Sequence, residues 1–408
     1  MKRFKKLCAL MITLALVFSL TACGGAGSDS ASKEISSSPA DSSAPEGDPI
    51  KVGFIGTCSG AEAYLGQTAQ LALEDYIEEI NAKGGVLGRP LKLVPYDIGL
   101  DPTAECVNAT NRLIEQDKVC AIIGPESSTQ ASAAVDIVES AHVPMIVTTA
   151  SNERLTVRED GTLNQYMFRM CFLDSYQGEA LAHYAYDRLG LRHVAVLGDI
   201  ANLYTQAIQN YFISEFEALG GEITSVEGFV DTDTDFRAPL ANIKNSNAEA
   251  ILVATGMYRM AGFIGQQCKE LGMDQRILGV DGWYAQEIID FAGKELDGSI
   301  MACMVDDEAD EFTEYRKKFA EKHSGESVNY FAYYAVDALM AVQWAINETG
   351  SANPEDIARA MSTMKDVPVM TCDLTIDPET HNPINKPVYI LEVTPEGFKT
   401  VEKYVPGK

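Results

Sequence analysis

Residues 50–97 read IKVGFIGTCSGAEAYLGQTAQLALEDYIEEINAKGGVLGRPLKLVPYD and contain a strand, a helix and a second strand in that order. Ile50–Gly56 is a short apolar run of the kind that forms a buried strand. Apolar side chains recur at helical spacing from Leu73 to Ile80, and Gly84-Gly85 ends this helix. Pro90–Tyr96 is the next predicted strand. The stretch therefore predicts an α/β protein.

The same order of elements returns in the second half of the chain. A strand at His193–Leu197 is followed by a helix at Tyr204–Leu219, which ends at Gly220-Gly221, and by a strand at Glu222–Phe229. Alternating strands and helices form doubly wound parallel sheets, whose ligands bind outside the carboxyl ends of the strands. We therefore predict two Rossmann-like lobes with parallel sheets and a ligand cleft lined by strand-end loops.

The rest of the chain continues this alternation. Further strands are predicted at 119–124, 144–148, 166–170, 250–255, 277–280, 299–305 and 388–394. Further helices are predicted at 128–141, 236–245, 262–271, 312–323, 330–347 and 354–364, with another starting at Asp101-Pro102. The last three helices have apolar faces that must dock on one of the lobes.

The N-terminal segment has the order of an export signal. Basic residues precede an apolar run of 14 residues, Leu7–Leu20, which is too short to span a bilayer. Leu20–Cys23 resembles the lipobox of bacterial lipoproteins, so we expect residues 1–22 to be removed and lipid to be attached to Cys23. The alternative is an ordinary signal peptide with an incidental cysteine. The Gly-, Ser- and Pro-rich stretch Gly24–Asp48 predicts a disordered tether.

Composition limits the partners of the chain. The formal net charge is -27, and loss of the basic signal makes the mature chain more acidic still. This charge argues against nucleic acid and against an anionic membrane surface as partners. We expect a monomer that is held at the membrane only through the lipid on Cys23.

No motif for catalysis or for a cofactor is found. The sequence has no Walker A, G-x-S-x-G or H-E-x-x-H pattern, and its five histidines are scattered. Asp231–Asp235 resembles a calcium loop in part, but Phe236 stands where glycine is needed, so a capped helix start is favoured. We predict no enzyme activity, no cofactor and no metal. The seven cysteines after Cys23 are interpreted mostly as small buried residues, with disulfides left open.

Hydroxyl groups follow two of the predicted strands. Ser127 and Ser128 stand where a strand leads into a helix, and the free N–H groups of a helix start bind a carboxylate well. The alternative is that one of them only caps the helix. Thr149 and Ser151 follow the next strand and add a hydroxyl and an open carbonyl.

The second half contributes an acid and aromatic residues at its strand ends. Asp281 follows a strand and is either the partner of an ammonium group or a helix cap. Tyr64 and Tyr204 each follow the first strand of their half, and they are interpreted either as cleft walls or as core residues. We also expect Trp283 near the side chain of the ligand.

Several phrases together resemble one family. "KVGFIGTCSG", "YLGQ", "INAKGGVLGRPLKLVPYD", "IIGPESS", "VPMIVTTAS", "DTDTDF" and "VDGWYAQE" resemble the branched-chain amino-acid substrate-binding proteins of ABC importers, of the leucine/isoleucine/valine type. The resemblance runs from about residue 50 to the end. It implies the type I periplasmic-binding fold, with three crossover strands near Leu173, Cys303 and Lys386. The lobes would then be 49–173 with 304–385, and 174–303 with 386–408.

The resemblance also implies roles for the strand-end residues. Hydroxyls of Ser127 or Ser128, and of Ser151, would bind the carboxylate of an amino acid. The carbonyl of Thr149 and the side chain of Asp281 would bind its ammonium group, and Tyr64 and Tyr204 would wall the cleft. Two departures leave the ligand open. Some branched-chain binders have Glu in place of Asp281, and Met257–Arg259 replaces a segment that varies among relatives.

The sequence therefore predicts a lipid-anchored extracytoplasmic protein that delivers an amino acid to an ABC permease. Binding energy would close the two lobes on the ligand. The alternative is a ligand-sensing binding protein that docks on a membrane receptor.

Substitution of Cys23 tests the lipoprotein prediction. Cys23→Ser removes the thiol that would carry the lipid, so the variant should accumulate as unlipidated or uncleaved precursor. Metabolic acyl labelling and membrane fractionation measure this. A wild-type protein without acyl label, whose distribution does not change in the variant, would contradict the prediction.

Overall fold

The computed structural model describes residues 45–99, 102–307, 309–384 and 386–405, and of residues 61 and 62 only the backbone. The predictions for the signal segment and Cys23, for most of the tether and for Asp101 therefore lie outside the described residues. Fourteen strands are described: β1 Ile50–Gly56, β2 Leu91–Asp97, β3 Ala121–Ile123, β4 Met145–Val147, β5 Met167–Arg169, β6 His193–Asp199, β7 Glu222–Phe229, β8 Ala250–Ala254, β9 Arg276–Gly279, β10 Ile300–Cys303, β11 Val367–Pro368, β12 Asp373–Leu374, β13 Val388–Thr394 and β14 Gly397–Tyr404.

Eleven α-helices are described in the same part of the chain: α1 Gln67–Ala82, α2 Pro102–Arg112, α3 Ser128–Ala141, α4 Asp174–His183, α5 Leu203–Ala218, α6 Arg237–Lys244, α7 Tyr258–Glu270, α8 Gln286–Ala292, α9 Asp310–Lys322, α10 Tyr330–Thr349 and α11 Pro354–Met361. Helices α2 and α4 each continue into a π-helical turn. None of the described helices is both long and apolar enough to cross a bilayer.

The strands form two large sheets with the same winding. The first sheet has the order β2-β1-β3-β4-β5, and every pairing in it is parallel. In the second sheet β7, β6, β8, β9 and β10 repeat that order and are again parallel. Two doubly wound α/β lobes are therefore present, and the predicted fold class is confirmed. In each sheet the order of the strands reverses beside the strand that comes first in the chain, β1 or β6. Doubly wound sheets bind their ligands at this point.

The second sheet continues beyond its parallel strands into two antiparallel strands. β13 pairs antiparallel with β10, and β14 pairs antiparallel with β13. The sequence analysis predicted β13 but missed β14. Exposed and half-buried residues alternate along β14, so only about half of its side chains face protein. The strand therefore contributes no buried apolar run that sequence reading could recognise.

The chain passes from the first sheet to the second and back. After β5 it forms α4, which packs on α5 and on strands of the second sheet. After β10 it forms α9 and α10, and α10 packs on α1 and β3 of the first lobe. Docking of the late helices on an existing lobe is thus confirmed. The lobe boundaries at residues 173, 303 and 386 stay predictions.

The core consists of aliphatic side chains on the inner strands and of one long helix. All residues of β8 are buried, as are all of β3 and β10. In α10, 14 of the 20 residues are buried, so this helix is apolar nearly all round and forms the centre of its lobe. Among the described cysteines none forms a disulfide, and five of the seven are buried.

Arg169, the last residue of β5, is fully buried and holds the edge of the first sheet together. Its guanidinium donates hydrogen bonds to the carbonyl oxygens of Ala150 and Asn152, the latter at 2.5 Å, and to Asn382 Oδ1 at 2.9 Å. The side chain therefore joins the loop after β4 to the segment that leads back toward β13. A buried charge is tolerated here because acceptors surround it.

Removal of this guanidinium should destabilise the protein strongly. Arg169→Met keeps the length of the side chain but removes three hydrogen bonds from a charged donor, each of which contributes about 1.5–3 kcal/mol. The carbonyl of Asn152 and Asn382 Oδ1 still accept from the N–H of Leu155 and the hydroxyl of Thr156. We expect the free energy of unfolding to fall by at least about 3 kcal/mol in urea titrations. The control is Arg237→Met, which removes exposed ion pairs to Asp235 and Glu270 and should cost about 1 kcal/mol or less. Equal effects of the two variants would contradict the assignment.

Candidate functional site

A cavity of about 420 Å³ lies at the carboxyl ends of the strands, where the strand order of both sheets reverses. Loops from both lobes and the start of α10 contribute to its wall. The lining residues are Thr57, Leu65, Gly99, Pro102, Thr103, Glu126, Ser127, Ser128, Thr129, Gln130, Thr149, Asp199, Ala201, Asn202, Tyr204, Asp231, Gly256, Met257, Asp281, Gly282, Tyr330 and Phe331. The volume suits a small organic molecule.

The N-terminus of α3 opens into this cavity. Ser127 is the N-cap residue in an extended conformation, and its side chain does not cap the helix. Ser128 Oγ instead accepts a hydrogen bond from the backbone N–H of Asn152 at 3.2 Å. The first N–H groups of a helix have no partner within the helix, and they carry its positive end. Both serines line the cavity, so an anion bound here would meet N–H groups and hydroxyls together.

Thr149 and Ser151 follow β4 but differ in position. Thr149 lines the cavity, and its hydroxyl donates to the backbone carbonyl of Glu126 at 3.1 Å, which ties the loops after β3 and β4 together. Ser151 is fully buried beside Asp174 and is not part of the lining. The structure therefore brings three of the four predicted hydroxyl residues, Ser127, Ser128 and Thr149, to one wall.

Asp281 is held from two lobes. It follows β9, and its carboxylate accepts hydrogen bonds from the hydroxyl of Tyr204 and from Gln177 Nε2, the latter at 2.7 Å. The hydroxyl of Tyr330, on α10, donates to the backbone carbonyl of Asp281 at 3.3 Å. The N-cap residue of the next helix, α8, is Ala285, so Asp281 is not the cap of that helix. Its side chain is instead part of the cavity wall.

Burial governs the ionisation of this group. Removal from water raises the pKa of the Asp281 carboxyl to about 6, although the hydrogen bonds from Tyr204 and Gln177 oppose the increase. Burial and the neighbouring carboxylate together hold the pKa of Tyr204 well above its usual value, so its hydroxyl stays a donor. At neutral pH Asp281 is therefore a largely ionised, buried carboxylate at the edge of a cavity, and a cation in that cavity would stabilise it.

Two of the predicted aromatic residues lie outside the cavity lining. Trp283 is fully buried, and its indole covers Gly279 so closely that a Cβ atom there would lie 2.6 Å from Cε3. It packs in the core of its lobe rather than where a ligand side chain was expected. Tyr64 is half-buried and makes edge contacts with the rings of Tyr258 at 5.1 Å and Phe331 at 6.1 Å. Tyr204 does line the cavity.

Sequence reasoning missed several residues of the site. Glu126 is part of the quoted segment IIGPESS, but only its serines were considered, although an acid between a predicted strand and a predicted helix could have been noticed in the sequence. Gln177 and Tyr330 lie 104 and 49 residues from Asp281 in the chain. No local pattern in the sequence could show that these side chains meet.

Two similar doubly wound lobes with one polar cavity at their strand ends define a two-lobed ligand-binding protein. Residues 49–399 match the model of the periplasmic binding protein family, and the chain belongs to that family. Two relatives from Pseudomonas aeruginosa are an amino acid binding protein, 29% identical over 79% of this chain and 84% of its own, and a leucine-, isoleucine-, valine-, threonine- and alanine-binding protein, 27% identical over 77% and 82%.

Solved structures agree with this assignment. The leucine binding protein LivK of Thermotoga maritima superimposes with a TM-score of 0.80 at 28% identity, over 88% of this chain and 99% of its own. The branched-chain amino acid transporter substrate binding protein LivJ of Streptococcus pneumoniae, in complex with isoleucine, gives 0.78 at 30% identity over the same shares. These relatives are binding proteins and not enzymes, which confirms the prediction that the chain is not an enzyme. Family membership implies an extracytoplasmic location.

The raised pKa of Asp281 predicts how stability changes with pH. A carboxyl whose pKa is higher in the folded state destabilises that state as pH rises from about 4 to above 6, because it must ionise while buried. Without added amino acid, the free energy of unfolding of Asp281→Asn relative to that of the wild type should therefore increase by about 1–3 kcal/mol between pH 4 and pH 7.5. Urea unfolding of both proteins at the two pH values measures this. A difference between them that does not change with pH would contradict the assigned ionisation.

Proposed function

We propose that this protein is an extracytoplasmic lipoprotein that captures an amino acid between its lobes and delivers it to the permease of an ABC importer. One observation carries the proposal: a buried carboxylate and an open helix N-terminus with hydroxyls face the same cavity. A zwitterion is the ligand that satisfies both, since its ammonium group pairs with the carboxylate and its carboxylate with the helix start.

The proposed contacts follow from the positions of the side chains. The ligand carboxylate would bind at the start of α3, to Ser127 and Ser128, and the ammonium group would bind Asp281 and the carbonyl of Thr149. Tyr204 holds Asp281 in place and forms the wall beside it. None of Ser151, Tyr64 and Trp283 lines the cavity. Their roles as ligand-binding residues stay proposals.

The names of the relatives support this ligand class and this system. One relative is a leucine-, isoleucine-, valine-, threonine- and alanine-binding protein, and one solved structure is a transporter substrate binding protein in complex with isoleucine. Closure of the two lobes would desolvate the ligand and commit it to transport. The crossovers near residues 173, 303 and 386 would be the hinges, and lipid on Cys23 would hold the protein near the permease.

The Asp281 carboxylate provides the test of this function. A thermal-shift screen of the twenty amino acids on the full chain identifies the ligand, and titration calorimetry then compares variants. Asp281→Asn should weaken binding of that amino acid by about 1.5–3 kcal/mol, which is the range for a hydrogen bond to a charged group. The control is Asp290→Asn, the same change at an exposed position on α8, which should leave affinity unchanged.

Two results would contradict the proposal. If no amino acid shifts the melting temperature of the wild type, the ligand class is wrong. If an amino acid binds but Asp281→Asn binds it equally well, then Asp281 does not hold the ammonium group.

A further inference from the structure

The wall of the cavity at the end of the first sheet contains a second buried acid. Glu126 follows β3, is 5% exposed and lines the cavity. The backbone N–H of Thr57, just beyond β1, points toward Glu126 Oε2 at 3.4 Å. A carboxylate therefore lies beside the strands β1 and β3, in the lobe opposite Asp281. The amino-acid contacts proposed above do not use it.

Two more acceptor oxygens lie in the same wall. Thr57 is 1% exposed and Gln130 is 5% exposed, and both line the cavity. Thr57 Oγ1 and Gln130 Oε1 are buried and make no hydrogen bond. A buried polar atom without a partner destabilises a protein by about 1–3 kcal/mol, so such atoms in a binding cavity indicate groups that a ligand satisfies. Together with Glu126 they form a wall that accepts hydrogen bonds.

The charge of the cavity agrees with this wall. Four carboxylates line it, those of Glu126, Asp199, Asp231 and Asp281. None of the described lining residues is a lysine, an arginine or a histidine. The ammonium group of a zwitterion pairs with Asp281 and its carboxylate with the start of α3, so an aliphatic amino acid places no positive charge at the wall that contains Glu126. A ligand with one further positive charge therefore suits the cavity better than an aliphatic amino acid.

Apolar side chains adjoin the same acidic wall. The backbone N–H of Gly66 donates to the carbonyl of Thr57 at 3.0 Å, which places Leu65 next to Thr57. Asn329 Nδ2 donates to the carbonyl of Tyr64 at 2.9 Å, so the start of α10, with Phe331, lies beside that segment. Leu65 and Phe331 both line the cavity. They provide a surface for an alkyl chain that ends in a polar group, as in long basic side chains.

We propose that the ligand is an amino acid with a cationic side chain of the lysine or ornithine type, whose terminal ammonium group binds Glu126, Thr57 and Gln130. The proposal rests on the proposed function, because it takes the α-ammonium and α-carboxylate contacts described there. It replaces the aliphatic side chain that the sequence resemblance favours. Leu65 and Phe331 would then contact the methylene groups.

Four ligands on the wild-type full chain test the proposal without any variant. L-Norleucine has the side chain of L-lysine without the terminal ammonium group, and L-leucine represents the branched-chain class. In titration calorimetry L-lysine or L-ornithine should bind at least about tenfold more tightly than L-norleucine and L-leucine. If L-norleucine or L-leucine binds as tightly as L-lysine, the cationic side chain is wrong and amino-acid binding stands. If none of the twenty amino acids binds, both proposals are wrong.

A substitution of Glu126 then locates the second charge. Glu126→Gln has the same shape without the charge, so it should weaken L-lysine binding about tenfold to a hundredfold and leave L-norleucine binding within about threefold. Glu287→Gln is the matched control, because it makes the same change at an exposed position on α8 outside the cavity lining and should leave both affinities unchanged. Equal losses for the two ligands in Glu126→Gln, or equal losses of L-lysine affinity in both variants, would overturn the assignment of Glu126.

Discussion

The guanidinium of Arg169 is the constraint on which the cavity wall depends. It stands at the last residue of β5, where the chain leaves the first sheet, and it joins the loop after β4 to Asn382. That loop also carries Thr149, whose hydroxyl ties it to Glu126. Because a planar guanidinium donates in fixed directions, it determines where each partner lies. The first-lobe wall of the cavity is therefore set by a residue that does not line it.

In the second lobe, the main constraint is that an ionised acid, Asp281, is buried away from water. Tyr204 and Gln177 supply donors to Asp281, and the backbone of Gly282 donates to the Tyr204 hydroxyl at 3.1 Å. Such donors lower the cost of a buried carboxylate but do not remove it, as the raised pKa shows. The folded protein is thus less stable than it would be with a neutral residue there. A cation bound beside Asp281 would recover that free energy, so affinity for it would come at the expense of the unliganded state.

The sequence predicts those parts of the fold that depend on local pattern. Apolar runs and glycine pairs located nearly all strands of the two parallel sheets, and the repeated order of elements predicted two lobes. It did not reveal α4, whose short sequence shows little periodicity, or the antiparallel β14. Ser128 and Asp281, which both line the cavity, were predicted as site residues because each stands near the end of a strand. Trp283 was expected near the side chain of the ligand, but its ring is fully buried and covers Gly279, and the sequence pattern does not determine the direction of a side chain at a strand end.

The way the chain crosses between the lobes has a consequence for its synthesis. The first sheet is complete at residue 169, yet α10, the helix that buries its face, begins only at Tyr330. The second sheet has an open edge at β10 until β13, which starts at Val388, pairs with it. The face of the first sheet that α10 covers and the edge of the second sheet at β10 thus stay uncovered while the polypeptide is still growing, although the other face of the first sheet has a core of residues between Ile55 and Met167 alone. Folding of both lobes is therefore completed only when nearly the whole chain has been made, and a growing chain passes through partly folded states with exposed apolar surface.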